Sequence, residues 1–375
     1  MTPREGLPPI ILLAAGGTGG HLFPAEALAA ALAKRGVAVE LATDDRAARY
    51  GGSFAPATVH IIPSDTFRSR SPGAVVRTGA TLAWGVARSL LLLKRLRPAA
   101  VIGFGGYPTI PPVMAAGLAR IPSLIHEQNA VMGRANRLLA PRVTAIATGF
   151  PGVAATQPAL AAKAVHTGNP VRPAVIAAAQ TPYSPANGDG RIRLLVFGGS
   201  QGARVMSEIV PPAIEGLYAS MRSRVSIVQQ TRAEDAEAVY GHYERLGVEA
   251  EVAPFFSDLP ARMAAAHFII ARAGASTVAE LAAIGRPGIL VPLPHALDQD
   301  QLANARVLER AGAAIVLTQD QFTPERLTKE LAALGGEPGR AAAMAEAARS
   351  VGAIDAADRV ADLVLRVAHV IPARV

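Results

Sequence analysis

The 375-residue chain contains no cysteine, which excludes disulfide frameworks, thiolate metal sites and thiol nucleophiles. Aromatic residues are only 5% of it, with a single tryptophan, so there is little material for the stacking platforms that nucleic-acid binding uses. Half of the residues are hydrophobic, yet no apolar run approaches the roughly 18 residues of a membrane span. Residues 1–13 carry a short apolar stretch that runs into a glycine loop rather than a cleavage site, so a cytoplasmic address is expected over a secreted one. Acidic residues are outnumbered, 29 Asp+Glu against 37 Lys+Arg, for a formal charge of +8. A basic excess suits nucleic acid, anionic membrane surfaces or phosphorylated ligands, and only its placement along the chain separates these.

What is present is an alternation. Short apolar runs at 10–15, 37–41, 59–62, 99–102, 123–125 and 143–147 read as buried strands, separated by stretches that are apolar at helical spacing. The pattern resumes at 192–197, 226–229, 248–253, 268–270, 288–291 and 314–317. Strands alternating with helices mean parallel sheets covered on both faces, here two of them. Between them, 169–190 is dense in proline, glycine and asparagine and reads as a linker. The expected organisation is α/β, with two doubly wound, Rossmann-like domains facing a cleft. They comprise an N-terminal domain at 1–168, a C-terminal domain at 191–352, and a terminal helix at 353–375 that crosses back to the first domain. The two halves also begin alike: Ile-Ile-Leu-Leu-Ala-Ala-Gly-Gly-Thr-Gly-Gly from Ile10 aligns without gaps on Ile-Arg-Leu-Leu-Val-Phe-Gly-Gly-Ser-Gln-Gly from Ile192.

Three glycine-rich loops each follow a strand: Gly16-Gly-Thr-Gly-Gly-His21, Gly103-Phe-Gly-Gly-Tyr-Pro108 and Gly198-Gly-Ser-Gln-Gly-Ala-Arg204. Backbone N–H groups at such a strand-to-helix turn line an anion site favoured by the helix dipole. The spacing is neither the dinucleotide fingerprint nor a Walker loop, so a polyphosphorylated ligand or two phosphorylated substrates are expected. His21 beside such a loop can act as a general base or simply bond a ligand. His126-Glu-Gln-Asn129 lies at a strand's carboxyl end, where four polar residues suit the recognition of hydroxyls. Gly274-Ala-Ser-Thr-Val-Ala-Glu280 opens a helix, and Glu280 there can hold vicinal hydroxyls or merely decorate a first turn. Asp298 and Asp300 have D-x-D spacing, a weak metal signal; amide and acid side chains reading a sugar fit that stretch better. Finally, 74–98 joins a long apolar helix, with Trp84, to Arg77, Arg88, Lys94, Arg95 and Arg97. It reads equally as a sheet-covering helix or as a face that dips into an anionic leaflet, with Trp84, Arg88, Lys94 and Arg95 at the contact.

In order along the chain, Gly16 to His21 with Phe23-Pro24, Gly105-Gly-Tyr107, His126 to Asn129, Gly168-Asn-Pro-Val-Arg172, Gly198 to Arg204 and Thr277 to Glu280 make it similar to the MurG family of GT-B glycosyltransferases. The likeness runs from about residue 10 to about residue 368. It implies inverting transfer of N-acetylglucosamine from UDP-N-acetylglucosamine to undecaprenyl-diphosphate-linked N-acetylmuramyl-pentapeptide, lipid I to lipid II, in peptidoglycan synthesis. On that likeness Thr18, Gly19, Gly20, Asn129 and Arg172 contact the donor from the N-terminal domain. Ser200, the backbone of Phe256, the turn Ala275, Ser276, Thr277, Val278, Ala279 and Glu280, and Gln301 hold it in the C-terminal domain. Gly105, Gly106, Tyr107 and His126 fall to the acceptor, and His21 and Glu127 compete for the role of base. Ala279 stands where the family often has serine, and Asp300 where it often has an amide.

The implied enzyme has no obligatory cofactor or metal. It sits peripherally on the cytoplasmic face of the cell inner membrane, with cell-wall or division proteins as further partners. A UDP-sugar 2-epimerase would use the same architecture but has no use for an apolar and basic helix. A nucleic-acid-binding protein would concentrate its basic residues, which here are spread among helices.

Overall fold

A computed structural model of the chain describes residues 8–16, 19–45, 58–66, 71–186, 190–199, 202–294 and 299–371. They form two compact units, Met1–Arg172 with Ile354–Val375, and Pro173–Ala353.

In the first unit seven parallel strands, β1 (Ile10–Ala14), β2 (Ala38–Thr43), β3 (Thr58–Ile61), β4 (Ala100–Gly103), β5 (Ser123–Glu127), β6 (Ala145–Thr148) and β7 (Ala164–His166), lie in the order β3-β2-β1-β4-β5-β6-β7. Six coincide with the apolar runs. β7 has no such run, because it is a three-residue edge strand facing solvent and exists by pairing with β6. In the second unit β8 (Ile192–Phe197), β9 (Val225–Gln230), β10 (Glu249–Ala253), β11 (Phe268–Ala271), β12 (Gly288–Leu290) and β13 (Ala314–Val316) lie in the order β10-β9-β8-β11-β12-β13, again all parallel. Both sheets step outward from their first strand and then return past it. The strand order therefore reverses between β1 and β4 and between β8 and β11, and ligands of such sheets bind outside the carboxyl ends of the strands at that point.

The registers bring the strand ends level. Ala14 pairs with Gly103, Glu127 with Thr148 and Thr148 with His166. In the second sheet Phe197 pairs with Ala271, Ala271 with Leu290 and Leu290 with Val316. Everything that follows these residues in sequence is thereby delivered to one edge of its sheet.

The first sheet is covered on one face by the helices Gly19–Ala33 and Ala356–Val367. Leu22, Leu28 and Leu32 interlock there with Val360, Ala361 and Val364, each leucine or valine side chain contributing about 1.5–3 kcal/mol when fully buried. Arg35 fastens the same pair through Asp358 at 2.7 Å and Asp362 at 3.0 Å. The opposite face carries the helices Pro72–Leu96 and Ile110–Leu118. Pro72–Leu96 buries Thr78, Gly85 and Ser89, then Leu93 and Leu96. Gly85 is needed because a Cβ would run into the Pro63 carbonyl and the Pro111 ring. The larger side chains point the other way, with Val76 71%, Trp84 58% and Leu91 66% exposed, beside exposed Arg77, Arg88, Lys94 and Arg95.

The stretch expected as a linker, 169–190, needs correction. From Pro173 onward it belongs to the second unit: the helix Pro173–Ala179 packs on the helices Leu259–Ala265 and Ala275–Ile284. Arg286, wholly buried, reaches the carbonyls of Thr181 and Pro182, and Arg349 also donates to Thr181. Proline and glycine density marks where helices stop, and it carries no sign that distant arginines capture the carbonyls left behind.

Candidate active site

At the carboxyl edge of the first sheet, β5 runs two residues further than its apolar core, so His126 and Glu127 are strand residues. Glu127 is buried and accepts four hydrogen bonds. Its Oε1 takes the Asn129 backbone N–H at 2.9 Å and the Asn129 amide at 3.3 Å, and its Oε2 takes the Gly133 N–H and the Asn136 amide, both at 2.9 Å. Those four donors fill the acceptor capacity of a carboxylate. Burial still outweighs them and lifts the carboxyl above the usual carboxylate range. The geometry is that of a clasp: Glu127 holds the loop 128–136 and with it Asn129.

His126, expected on the acceptor side, is wholly buried, tilted against the Phe104 ring. Its Nε2 lies 3.1 Å from the Gly168 carbonyl, and burial pulls its pKa down to about 4, so the ring is a neutral donor that fixes the start of the segment leading to Arg172. That segment is held a second time by Asn169, which donates to the Gln128 carbonyl at 2.9 Å, while Gln128 donates to the Phe104 carbonyl at 2.8 Å. His126 thus stands behind the site and not on its wall. Arg172 itself stacks its guanidinium carbon 4.3 Å over the Phe23 ring.

His21 lies in the first turns of the helix Gly19–Ala33, half-buried. It is bonded to the Gly16 backbone, and burial draws its pKa below the ordinary imidazole value. Gly105 and Gly106 adopt φ of 83° and 73°, conformations that only glycine takes easily, and they turn the chain against the His21 ring. A Cβ at Gly105 would sit 3.4 Å from His21 Nε2 and 3.5 Å from the Asn136 amide nitrogen. His21, Gly105, Gly106 and the Glu127 loop are therefore brought together, with half-buried Tyr107 beside them. Gly19 and Gly20 open the helix; Thr18 lies outside the described residues.

At the carboxyl edge of the second sheet, Ala275 to Glu280 form the first turns of the helix Ala275–Ile284, with Gly274 as its N-cap. Ser276, Thr277 and Ala279 are half-buried, while Val278 and Glu280 are buried. Phe256 is buried under the Arg262 guanidinium, whose carbon lies 4.4 Å from the ring centroid. Gln301 accepts from the Leu293 N–H at 3.0 Å, which pins its amide to the turn after β12. Ser200 and Asp298 lie outside the described residues. Arg204 is exposed and paired with Glu208 at 2.8 Å.

Sequence reasoning missed Asn136, Asn304, which donates to the Ala273 carbonyl, and Arg272, and it quoted Gln128 and Asn169 in their motifs without the loop-holding bonds they make. One local signal existed, since Arg272 follows an apolar strand immediately and precedes the helix-opening glycine.

Residues 11–148 match the glycosyltransferase family 28 N-terminal domain and residues 193–360 its C-terminal domain. A UDP-N-acetylglucosamine–N-acetylmuramyl-(pentapeptide) pyrophosphoryl-undecaprenol N-acetylglucosamine transferase of Rhodopseudomonas palustris strain HaA2 is 59% identical over 96% of this chain and 99% of its own length. The protein of that name from Nitrobacter winogradskyi is 60% identical over 96% of this chain and 98% of its own. The crystal structure of Acinetobacter baumannii MurG superposes with a TM-score of 0.79 at 31% identity, covering 96% of this chain and all of that one. A UDP-GlcNAc 2-epimerase from Neisseria meningitidis shares the fold alone, at TM-score 0.68 and 12% identity over 95% of this chain and all of its own. With two Rossmann-like units of GT-B type and near-full-length relatives, this chain belongs to glycosyltransferase family 28 and, within it, to the MurG family.

Proposed function

We propose that the chain transfers N-acetylglucosamine from UDP-N-acetylglucosamine to undecaprenyl-diphosphate-linked N-acetylmuramyl-pentapeptide with inversion at the anomeric carbon. The observation that carries this reading is 59% identity, over nearly the whole of both chains, to transferases that bear that name. A hydroxyl of the acceptor sugar attacks the anomeric carbon, its proton passes to a base, and the carbon–oxygen bond to UDP breaks with both electrons leaving on the diphosphate.

His21 is the base. Donation to the Gly16 backbone selects the neutral tautomer whose other nitrogen accepts a proton, and a lowered pKa keeps that form present at neutrality. Glu127 supports the site by holding Asn129 and not by taking the proton, because its oxygens are already filled. Thr18, Gly19, Gly20, Asn129 and Arg172 serve the donor from the first unit. Ser200, the Phe256 backbone, Ala275 to Glu280 and Gln301 serve it from the second, where the N-terminus of the helix Ala275–Ile284 stabilises the departing diphosphate without an obligatory metal. Gly105, Gly106 and Tyr107 face the acceptor.

Among the described residues no helix is long and apolar enough to cross a membrane. The acceptor is reached instead through the helix Pro72–Leu96, whose exposed Val76, Trp84 and Leu91 enter the cytoplasmic leaflet of the inner membrane while Arg88, Lys94 and Arg95 meet anionic headgroups. Trp84→Ala is expected to weaken sedimentation with anionic vesicles about tenfold and leave turnover of a water-soluble acceptor analogue unchanged; equal vesicle binding would remove this face.

The test of the reaction is transfer of radiolabelled N-acetylglucosamine from UDP-N-acetylglucosamine to a polyprenyl-diphosphate-linked muramyl peptide. Labelled product is expected only with acceptor present. Donor binding without transfer, or donor turnover without acceptor, would refute the assignment.

A further inference from the structure

Two arginines are buried in the second unit, at opposite ends of its sheet. Arg286 precedes β12, at the amino edge, and all of its nitrogens are engaged: Nε with the Ala264 carbonyl, Nη1 with those of Ile284 and Gly285, and Nη2 with those of Thr181, Pro182 and Ala264. It is a complete staple. Arg272 follows β11, at the carboxyl edge, three residues before the helix Ala275–Ile284 begins, and is 8% exposed. Its Nη1 donates to the carbonyls of Val291 at 3.1 Å and Pro292 at 3.0 Å, and its Nη2 to Gln319 Oε1 at 2.8 Å. Its Nε is buried and has no partner.

All three acceptors are neutral, and among the described residues no carboxylate forms an ion pair with Arg272. The nearest carboxylate in sequence to its Gln319 partner, Asp320, is engaged by Thr318. A buried guanidinium without a counter-ion is held at a cost, which appears as a pKa pulled below the ordinary arginine value by burial with nothing opposing it. The charge lies at the same carboxyl edge from which the helix Ala275–Ile284 starts three residues later, and it has the same sign as the dipole at that helix N-terminus. The same fork ties the ends of β12 and the loop after β13 to the end of β11, and thereby sets the turn on which Leu293 bonds Gln301.

We propose that Arg272 is a positioning residue for the nucleotide donor, whose buried, uncompensated charge is balanced by the donor's diphosphate and whose fork sets the loops that receive it. The proposal rests on the reading of this chain as a UDP-sugar enzyme. It concerns a side chain that works through loops and field and does not touch the reacting atoms.

The test uses the full chain with UDP and uridine as probes in calorimetry. The unmodified protein is expected to bind UDP more tightly than uridine; equal affinities would sink the donor reading itself. Gln319→Glu changes an exposed side chain of nearly the same shape and supplies Arg272 with a counter-ion. It is expected to lower UDP affinity about tenfold, the effect of one charge about 10 Å away at an effective dielectric near 20, with uridine affinity unchanged and the melting midpoint held or raised. Arg272→Met should lower the UDP-to-uridine preference likewise. Arg272→Lys should keep that preference while raising the KM for the sugar-bearing donor, because the charge survives and the fork does not. A preference that stays intact in Gln319→Glu overturns the proposal, and that variant decides even where Arg272→Met does not fold.

Discussion

At the end of β5 a carboxylate is buried, and at the end of β11 a guanidinium. The two sheets share their strand order up to the edge, their parallel register and their glycine loops, so the contrast lies in which residue each chain segment sets down where its strand stops. Glu127 is surrounded by four donors and is complete; it organises a loop. Arg272 is bonded to three neutral oxygens and keeps one buried N–H without a partner, and its charge is the one proposed to be balanced by the donor's diphosphate. One scaffold used twice thus yields an edge where a buried carboxylate is met by four donors and an edge where a buried guanidinium is met by neutral acceptors alone. The lesson is that burial of a charged group says little about function until its partners are counted.

The comparison breaks first at His21. Replacing it by alanine is expected to lower kcat by about 10²–10⁴ with UDP affinity unchanged, because the loss falls on the proton-accepting edge alone; turnover within a few-fold of the parent would return the role of base to Glu127. Glu127→Gln sharpens the same point. If the carboxylate is a clasp, one amide N–H₂ now faces donors that it cannot accept, and unfolding in urea should show a loss of about 1–3 kcal/mol with a moderate fall in kcat. A collapse of kcat at unchanged stability would instead mark Glu127 as the base.

The smallest effect is on pH. His126 in the first unit and His267 in the second are both neutral in the fold, with pKa values near 4 where an unfolded histidine has about 6.5. His126 donates to Gly168, and His267 accepts the Arg193 backbone N–H at 3.0 Å. Since the unfolded chain binds more protons between those values, stability is full above about pH 6.5 and falls as pH drops through 4. The urea midpoint should follow that course for both units, and His267→Gln should flatten it for the second unit alone. A midpoint that stays level down to pH 4 would contradict the neutral assignment.

Much of this edge chemistry was legible locally. The apolar runs announce twelve of the thirteen strands among the described residues, and His21, His126 to Asn129 and Ala275 to Glu280 each fall at or just after the carboxyl end of a strand. Two kinds of feature were not. Partners far apart in sequence carry no joint signal: Asn136 reaches back nine residues to Glu127, Asn169 reaches 41 to Gln128 and Arg272 reaches 47 to Gln319. Helical periodicity shows that Pro72–Leu96 has two faces and not which one the sheet takes. Gly85 goes inward where the Pro63 carbonyl and the Pro111 ring leave no room for a Cβ, Ser89 is buried one turn on, and Trp84 and Leu91 are left outside.

The order of residues by itself determined two parallel α/β units, glycine turns at their strand ends and the residue types available there, because period, breakers and propensity act over a few positions. Tertiary structure alone decided that His126 faces inward, that Glu127 is spent on a loop, that Arg272 lacks a counter-ion and that the helix Pro72–Leu96 turns its tryptophan to solvent. Those outcomes depend on which groups burial brings within hydrogen-bonding distance, and on whether each polar atom it removes from water finds a partner.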